Sequence, residues 1–293
     1  MRTTLTLVGR NLTIYFRDRT GVFLSLLSAL ILLLLYTLFL GSLQVDTIRE
    51  SLPNATEDEV RAFVNTWVLA GIIMITTFTT GFGSMGVFVD DRVSGRFRDF
   101  RVAPLKRWQL ILGYLGAAFV VAVLMATIIL SVGVGILVAL HSTSLFTWGG
   151  IAQSFGLILL LSLAFASISA FLLTFVGSSS AYTAASTIVG TVLGFLAGAY
   201  LPIGLLTTPV ANVINVLPFS PAAMLLREPL AGPSLDALAD GVPQAVTAIE
   251  EYYGFTLRVG DAVIDPMWVI VGLVVLALVF TALGALRIGR VVR

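Results

Sequence analysis

The chain has 293 residues, of which 58% are hydrophobic and 11% charged, with a formal net charge of +1 and a mean hydropathy of +1.01. It is too apolar for a soluble globular domain and too nearly neutral to attract nucleic acid, so it reads as a polytopic membrane protein. It has no cysteine, which excludes disulfides, thiolate catalysis and cysteine-ligated metals but leaves the redox compartment open.

The first predicted element is an amphipathic helix. Leu5, Val8, Leu12, Tyr15 and Phe16 fall on one helical face, and Arg2, Thr6, Arg10, Thr13 and Arg17 on the opposite one. Such a helix lies in the headgroup boundary with its arginines toward anionic lipid; the plainer reading is a basic topology anchor. Uncharged runs follow over 22–43, 62–89, 108–226 and 266–286. A bilayer-crossing helix needs roughly 20 such residues. The third run must therefore fold back on itself, and HSTSLFTWGG and GSSSA, rich in Gly, Ser and Thr, divide it. The expected fold is all-α and membrane-embedded, a single permease-like domain with six transmembrane helices at about 21–43, 63–89, 110–140, 149–176, 182–206 and 267–286. The first apolar run is too long for a signal-peptide core of about 7 to 15 residues and is read as a retained helix.

The outer loop before the second span carries Glu57, Asp58 and Glu59, a charge run that reads as a solvated face. Within that span Thr76, Thr77, Thr79 and Thr80 are unusually polar. Their hydroxyls can bond their own helix or line a translocation path. Residues 90–109, DDRVSGRFRDFRVAPLKRWQ, hold six of the seventeen positive charges. His141 ends the third span as an interfacial side chain with no metal partner in sight. On the fifth span Ser186, Gly190, Gly194 and Gly198 recur every four residues, a ridge for close helix packing within the subunit or across a dimer, with a ligand-facing groove as the alternative. The stretch from Leu201 to Leu230 is apolar but interrupted by Pro202, Pro209, Pro218, Pro221 and Pro229, so it cannot be one spanning helix. It is expected to form a re-entrant hairpin that emerges before Arg227. Residues 234–265, with Glu250, Glu251, Tyr252 and Tyr253, are then an external loop, so that 207–266 form one re-entrant and external segment.

Orientation follows from the basic residues. With both termini in the cytoplasm, thirteen positive charges fall inside and only Arg49, Arg61, Arg227 and Arg258 outside, which is the positive-inside pattern for a cell-membrane protein. Residues 90–109 are then cytoplasmic.

Several chemistries lack their parts. Ion-coupled transport needs ionisable groups at membrane depth, and the expected spans hold none away from their ends. No HExxH, buried acid pair or Ser beside a His or Lys supports hydrolysis. The one lysine, Lys106 in APLKRW, has no preceding glycine loop, so the chain is no Walker ATPase by itself.

Residues 90–109 resemble the cytoplasmic signature of type-2 ABC exporter permeases, the membrane subunits of ATP-binding-cassette exporters. Asp91, Gly95, Phe100 and Pro104 match its acid, glycine, apolar and proline positions, and Leu110 to Tyr114 resembles the start of the family's third helix. Pro202, Pro218, Pro221 and Arg227 resemble the segment between its fifth and sixth spans. The resemblance implies that Asp91 to Val102 is a coupling helix docked in a groove of a separate ABC ATPase subunit. Phe97 and Phe100 would be its anchors, and Arg96, Arg98 and Arg101 would set register. It also implies no enzymatic activity in this chain, ATP and Mg bound by the partner, and a homodimer or heterodimer with a similar permease. The implied function is multidrug or antibiotic efflux, or more broadly export of an amphipathic, drug-like or lipid-linked substrate. Arg96, Arg98 and Asp99 depart from the usual pattern, so no charge-pair partner carries over. Two rival readings are a non-transport assembly or immunity protein of the same fold, and an ion-coupled secondary transporter or membrane enzyme.

Overall fold

The computed structural model describes residues 2–40, 44–45, 48–49, 52, 55–102, 106–141, 145–238 and 243–291. The amphipathic leader forms α1 (Arg2–Arg17). Asp18 caps α2 (Arg19–Leu35), accepting the Gly21 amide at 2.9 Å, and a π turn over Tyr36–Leu40 continues the helix. Thr56 and Glu59 form a reciprocal capping box that starts α3 (Glu57–Ser84). Short helices α4 (Gly86–Val93) and α5 (Phe97–Val102) follow. Then come α6 (Arg107–Leu140), α7 (Trp148–Leu173) and α8 (Ser179–Leu196), the last two capped by Thr147 and Ser178. Six of these and later helices are long and apolar enough to cross a membrane, and the chain is an integral membrane protein. The end bearing α4 and α5 is called the inner end below, and the opposite one the outer end.

Helix α3 is the axis of the bundle. Its side chains from Val60 to Ser84 are almost all buried, against α6, α7 and α10. By contrast α2 and α8 leave most of their surface uncovered, with Phe23, Leu24, Ile188 and Phe195 exposed. The second predicted span is thus longer than expected, running from Glu57 through a break at Met85 to Val93.

The fifth span is shorter than the predicted 182–206. It stops at Leu196 because Gly198 turns the chain with φ of 60° and Pro202 then opens a short 3-10 turn, Ile203–Leu205. Helices α9 (Thr208–Val216) and α10 (Phe219–Leu238) meet at 85°, a sharp bend that a re-entrant loop and a broken span share. The second arm, expected from the sequence to return before Arg227, does not end there as a helix. It runs on through Arg227, Pro229 and Pro233, and nearly all its side chains up to Leu235 are buried. Surrounding helices take up the irregular backbone; α7 approaches so closely that a Cβ at Gly150 would meet the Pro229 carbonyl at 2.5 Å.

Residues 243–265, expected as a loop, are ordered into α11 (Pro243–Tyr253) and a hairpin of β1 (Leu257–Val259) and β2 (Ala262–Ile264), with Arg258 opposite Val263. Trp67 of α3 donates its indole N–H to the Tyr253 carbonyl at 2.8 Å, fixing this cap to the bundle. The last span is α12 (Pro266–Val291).

Candidate coupling junction, cavity and outer clamp

The inner end is organised by Asp91, whose side chain is fully buried. Arg10 grips it with two nitrogens, at 2.6 Å on Oδ2 and 2.8 Å on Oδ1. Arg96 adds a bond to Oδ1 at 3.0 Å, and the Tyr114 hydroxyl donates to Oδ2 at 2.5 Å. One carboxylate therefore joins α1, α4, α6 and the turn before α5 with charge-assisted bonds. Hydrogen bonding to Asp91 is the main cause that raises the already high Arg10 pKa. Asn11 reinforces the junction by donating to the Gly113 carbonyl at 3.2 Å. Helix α1 can sit this close because Gly113 lacks a Cβ, which would meet Leu7 at 2.6 Å. So α1 packs through Leu7 and Asn11, while Leu5 and Phe16 of its predicted apolar face stay exposed.

The predicted single coupling helix from Asp91 to Val102 is instead two short helices around a turn, because Gly95 takes φ of 78°, a left-handed conformation that ends a helix. Phe97, expected as an anchor for a partner, is buried against Phe88 and Phe100 at ring separations of 5.3 and 6.3 Å. Phe100 is half-buried beneath Arg10. Asp91 and Phe97 thus belong to the interior of the subunit. Val93, Ser94, Arg96, Arg98 and Asp99 form the exposed edge; the Arg101 side chain and Pro104 lie outside the described residues. Arg92 donates to the carbonyls of Thr174 and Val176 at 3.0 and 2.9 Å, tying α4 to the inner end of α7.

Above this junction lies a cavity of about 770 Å³ between α1 and α2, α3, and α8. Thr76 and Thr80 line it together with Thr79, Ser186 and Gly190. Thr77 does not: it is enclosed in protein and bonds the Met74 carbonyl at 2.6 Å. The predicted small-residue ridge is also divided. Ser186 and Gly190 face the cavity, Gly194 accommodates the Tyr200 ring, and Gly198 lies beyond the helix in its terminating turn.

At the outer end Arg227 is fully buried without an acidic partner among the described residues. Its Nη1 donates to the Gly254 carbonyl at 2.7 Å, and its Nη2 to those of Ala197 and Gly198 at 3.0 and 2.9 Å. The guanidinium also lies over Trp67, 5.6 Å from the ring centroid. It clamps the end of α8 and the outer cap to α10. Pro202, Pro218 and Pro221 mark the breaks around this clamp: Pro202 precedes the 3-10 turn, and Pro218 and Pro221 bracket the first residues of α10. Ser220 bonds Asn215 across the bend at 2.8 Å.

His141 is paired with Asn65 at 3.1 Å, and no metal-ligating cluster occurs among the described residues.

Among curated proteins none matches this chain in sequence. Residues 42–286 match the family described as ABC-2 family transporter protein, a stretch holding α3 to α11, and so the inner turn, the α3 and α8 side of the cavity wall and Arg227. With most of its length matched, and with six helices long and apolar enough to cross a membrane among the described residues, the chain belongs to the ABC-2 transporter family and is a membrane permease of that family.

Proposed function

We propose that this permease is the membrane half of an ATP-driven exporter. ATP and Mg are bound by a separate ATPase subunit, a second copy or a similar permease completes the pathway, and an amphipathic, drug-like or lipid-linked molecule leaves the cytoplasm. Export is supported by the resemblance to exporter permeases. The Asp91 junction carries the coupling role. A docking edge can transmit force only if it is fixed to what it must move, and Arg96 shares its carboxylate with Arg10 of α1 and Tyr114 of α6. Arg92 extends the connection to α7. Displacing the edge formed by Val93, Ser94, Arg96, Arg98 and Asp99 therefore carries several helix ends together, which changes the width of the cavity between Asp18 and Asp90.

The test uses the absence of native cysteines. Single cysteines at Val93, Ser94 and Arg98 should crosslink to a co-purifying subunit that carries Walker motifs, whereas one at the buried Phe97 should not. Repeated recovery of the intact chain without any nucleotide-binding partner, under mild detergent conditions that preserve other membrane complexes, would overturn the proposal in favour of a non-transport role.

A further inference from the structure

The cavity has a one-sided electrostatic character. Among the described residues no lysine, arginine or histidine lines it, although Arg17 and Arg19 flank Asp18 in the chain. Its charged lining groups are Asp18 and Asp90. Both are exposed, and neither forms an ion pair among the described residues. The contrast with the adjacent Asp91, matched by two arginines, is sharp.

The hydroxyls add to this. Ser25, Ser28, Thr76, Thr79, Thr80 and Ser186 each donate to a carbonyl of their own helix, at 2.6 to 2.9 Å. A hydroxyl has one proton to give, so these six retain only acceptor lone pairs. The Tyr182 hydroxyl likewise gives its proton to the Gly83 carbonyl at 3.0 Å. An anionic headgroup would meet none of these seven hydroxyls as a donor and could draw only on those of Tyr15 and Tyr200, whereas a cation would meet oxygen lone pairs along the wall and carboxylates at the inner end. Clefts lined by one sign of charge in low-dielectric walls concentrate the opposite charge. Leu32, Ile72 and Ile75 supply apolar wall, Tyr15 and Tyr182 supply rings for cation–π contact, and the volume suits a drug-sized molecule.

We infer that this cavity selects an amphipathic organic cation, holding its apolar body between α2 and α3 and its charge toward Asp18 and Asp90. The inference rests on the cavity being the translocation path, and the test separates the two. The full chain purified in detergent is dialysed to equilibrium against tetraphenylphosphonium or tetraphenylborate, ions of similar size and opposite charge. Tetraphenylphosphonium should bind saturably and at least about tenfold more tightly than tetraphenylborate. Asp18→Asn combined with Asp90→Asn should remove about tenfold of that preference, since asparagine still caps α2. Gly190→Trp, placed where the cavity wall has no neighbour within 4 Å, should block binding of the phosphonium. Unchanged phosphonium binding by Gly190→Trp would show that the cavity is not the site, and the translocation reading would fail with it. Loss of binding in Gly190→Trp, together with equal affinity for the two ions or an undiminished preference in the double asparagine variant, would refute cation selection and leave the cavity in place. Absence of saturable phosphonium binding to the native chain would also refute it.

Discussion

At the inner end the buried charge is a carboxylate, Asp91, met by the side chains of Arg10, Arg96 and Tyr114; at the outer end it is a guanidinium, Arg227, met by three backbone carbonyls and the Trp67 ring. The difference lies in what each partner can do when the contact breaks. The Arg10 and Arg96 side chains keep 29% and 54% of their surface in solvent, so both can hydrate or exchange partners. The carbonyls of Ala197, Gly198 and Gly254 are held by the chain itself, and Arg227 has no carboxylate to turn to. The inner junction is therefore the more exchangeable of the two, while the outer clamp behaves as a fixed fastening. Helices α3 and α4 connect them, from Trp67 beside Arg227 to Asp91.

This comparison predicts the largest effect at Arg227. Arg227→Met fills similar volume but leaves the clamped carbonyls without their donors, a loss on the order of 1–3 kcal/mol for each acceptor left unsatisfied. The melting temperature in detergent should fall further than for any single substitution at the inner junction. A shift within about 2 °C, corresponding to roughly 1 kcal/mol or less in a chain of this size, would mean that the outer end is held by packing alone.

The inner junction should respond less, and in a coupled way. Arg10→Ala and Asp91→Ala remove two ends of the same bidentate contact, so their combination should be less damaging than the sum of the single effects. The expected coupling is about 1–3 kcal/mol in a double-mutant cycle read by thermal denaturation. Simple additivity would mean that α1 is held through Leu7 and Asn11 without help from the charge pair.

A smaller effect is expected at the turn. A Cβ on Gly95 would meet nothing within 4 Å, so its φ of 78° is the sole obstacle to a side chain. Gly95→Ala should cost about 1–2 kcal/mol, and Gly95→Asn less, because asparagine tolerates the left-handed region. Equal losses for the two variants would point to contacts with a partner rather than to backbone conformation.

The spans were legible because a membrane helix must hide its backbone in an uncharged run, and such runs are visible residue by residue. The end of α8 was not, since Gly198 and Pro202 sit inside a run whose hydropathy hardly changes there. Arg227 reads from sequence as a return to water, because its acceptors are main-chain carbonyls that no residue type encodes. The Arg10–Asp91 contact joins residues 81 apart, and helical periodicity can place Arg10 only on a polar face, not against its partner. Phe97 and Phe100 were recognisable as a pair at i and i+3, yet spacing alone does not tell an anchor turned outward from one turned into its own subunit.

Between the two ends, the threonines of α3 provide the smallest and most discriminating comparison. Thr77 and Thr80 are both buried and both donate to a carbonyl of their own helix at 2.6 Å, but only Thr80 lines the cavity. Replacing either by valine removes one hydroxyl and its bond to a carbonyl within the helix, so each change should cost about 1 kcal/mol or less in stability. If these hydroxyls serve only the helix, Thr77→Val and Thr80→Val will be indistinguishable in every assay. If the cavity wall acts through its lone pairs, Thr80→Val will weaken tetraphenylphosphonium binding by a few-fold while Thr77→Val leaves it unchanged. Matched stability with divergent binding would thus assign the polarity of α3 to its cavity face and not to the rod that joins the two ends.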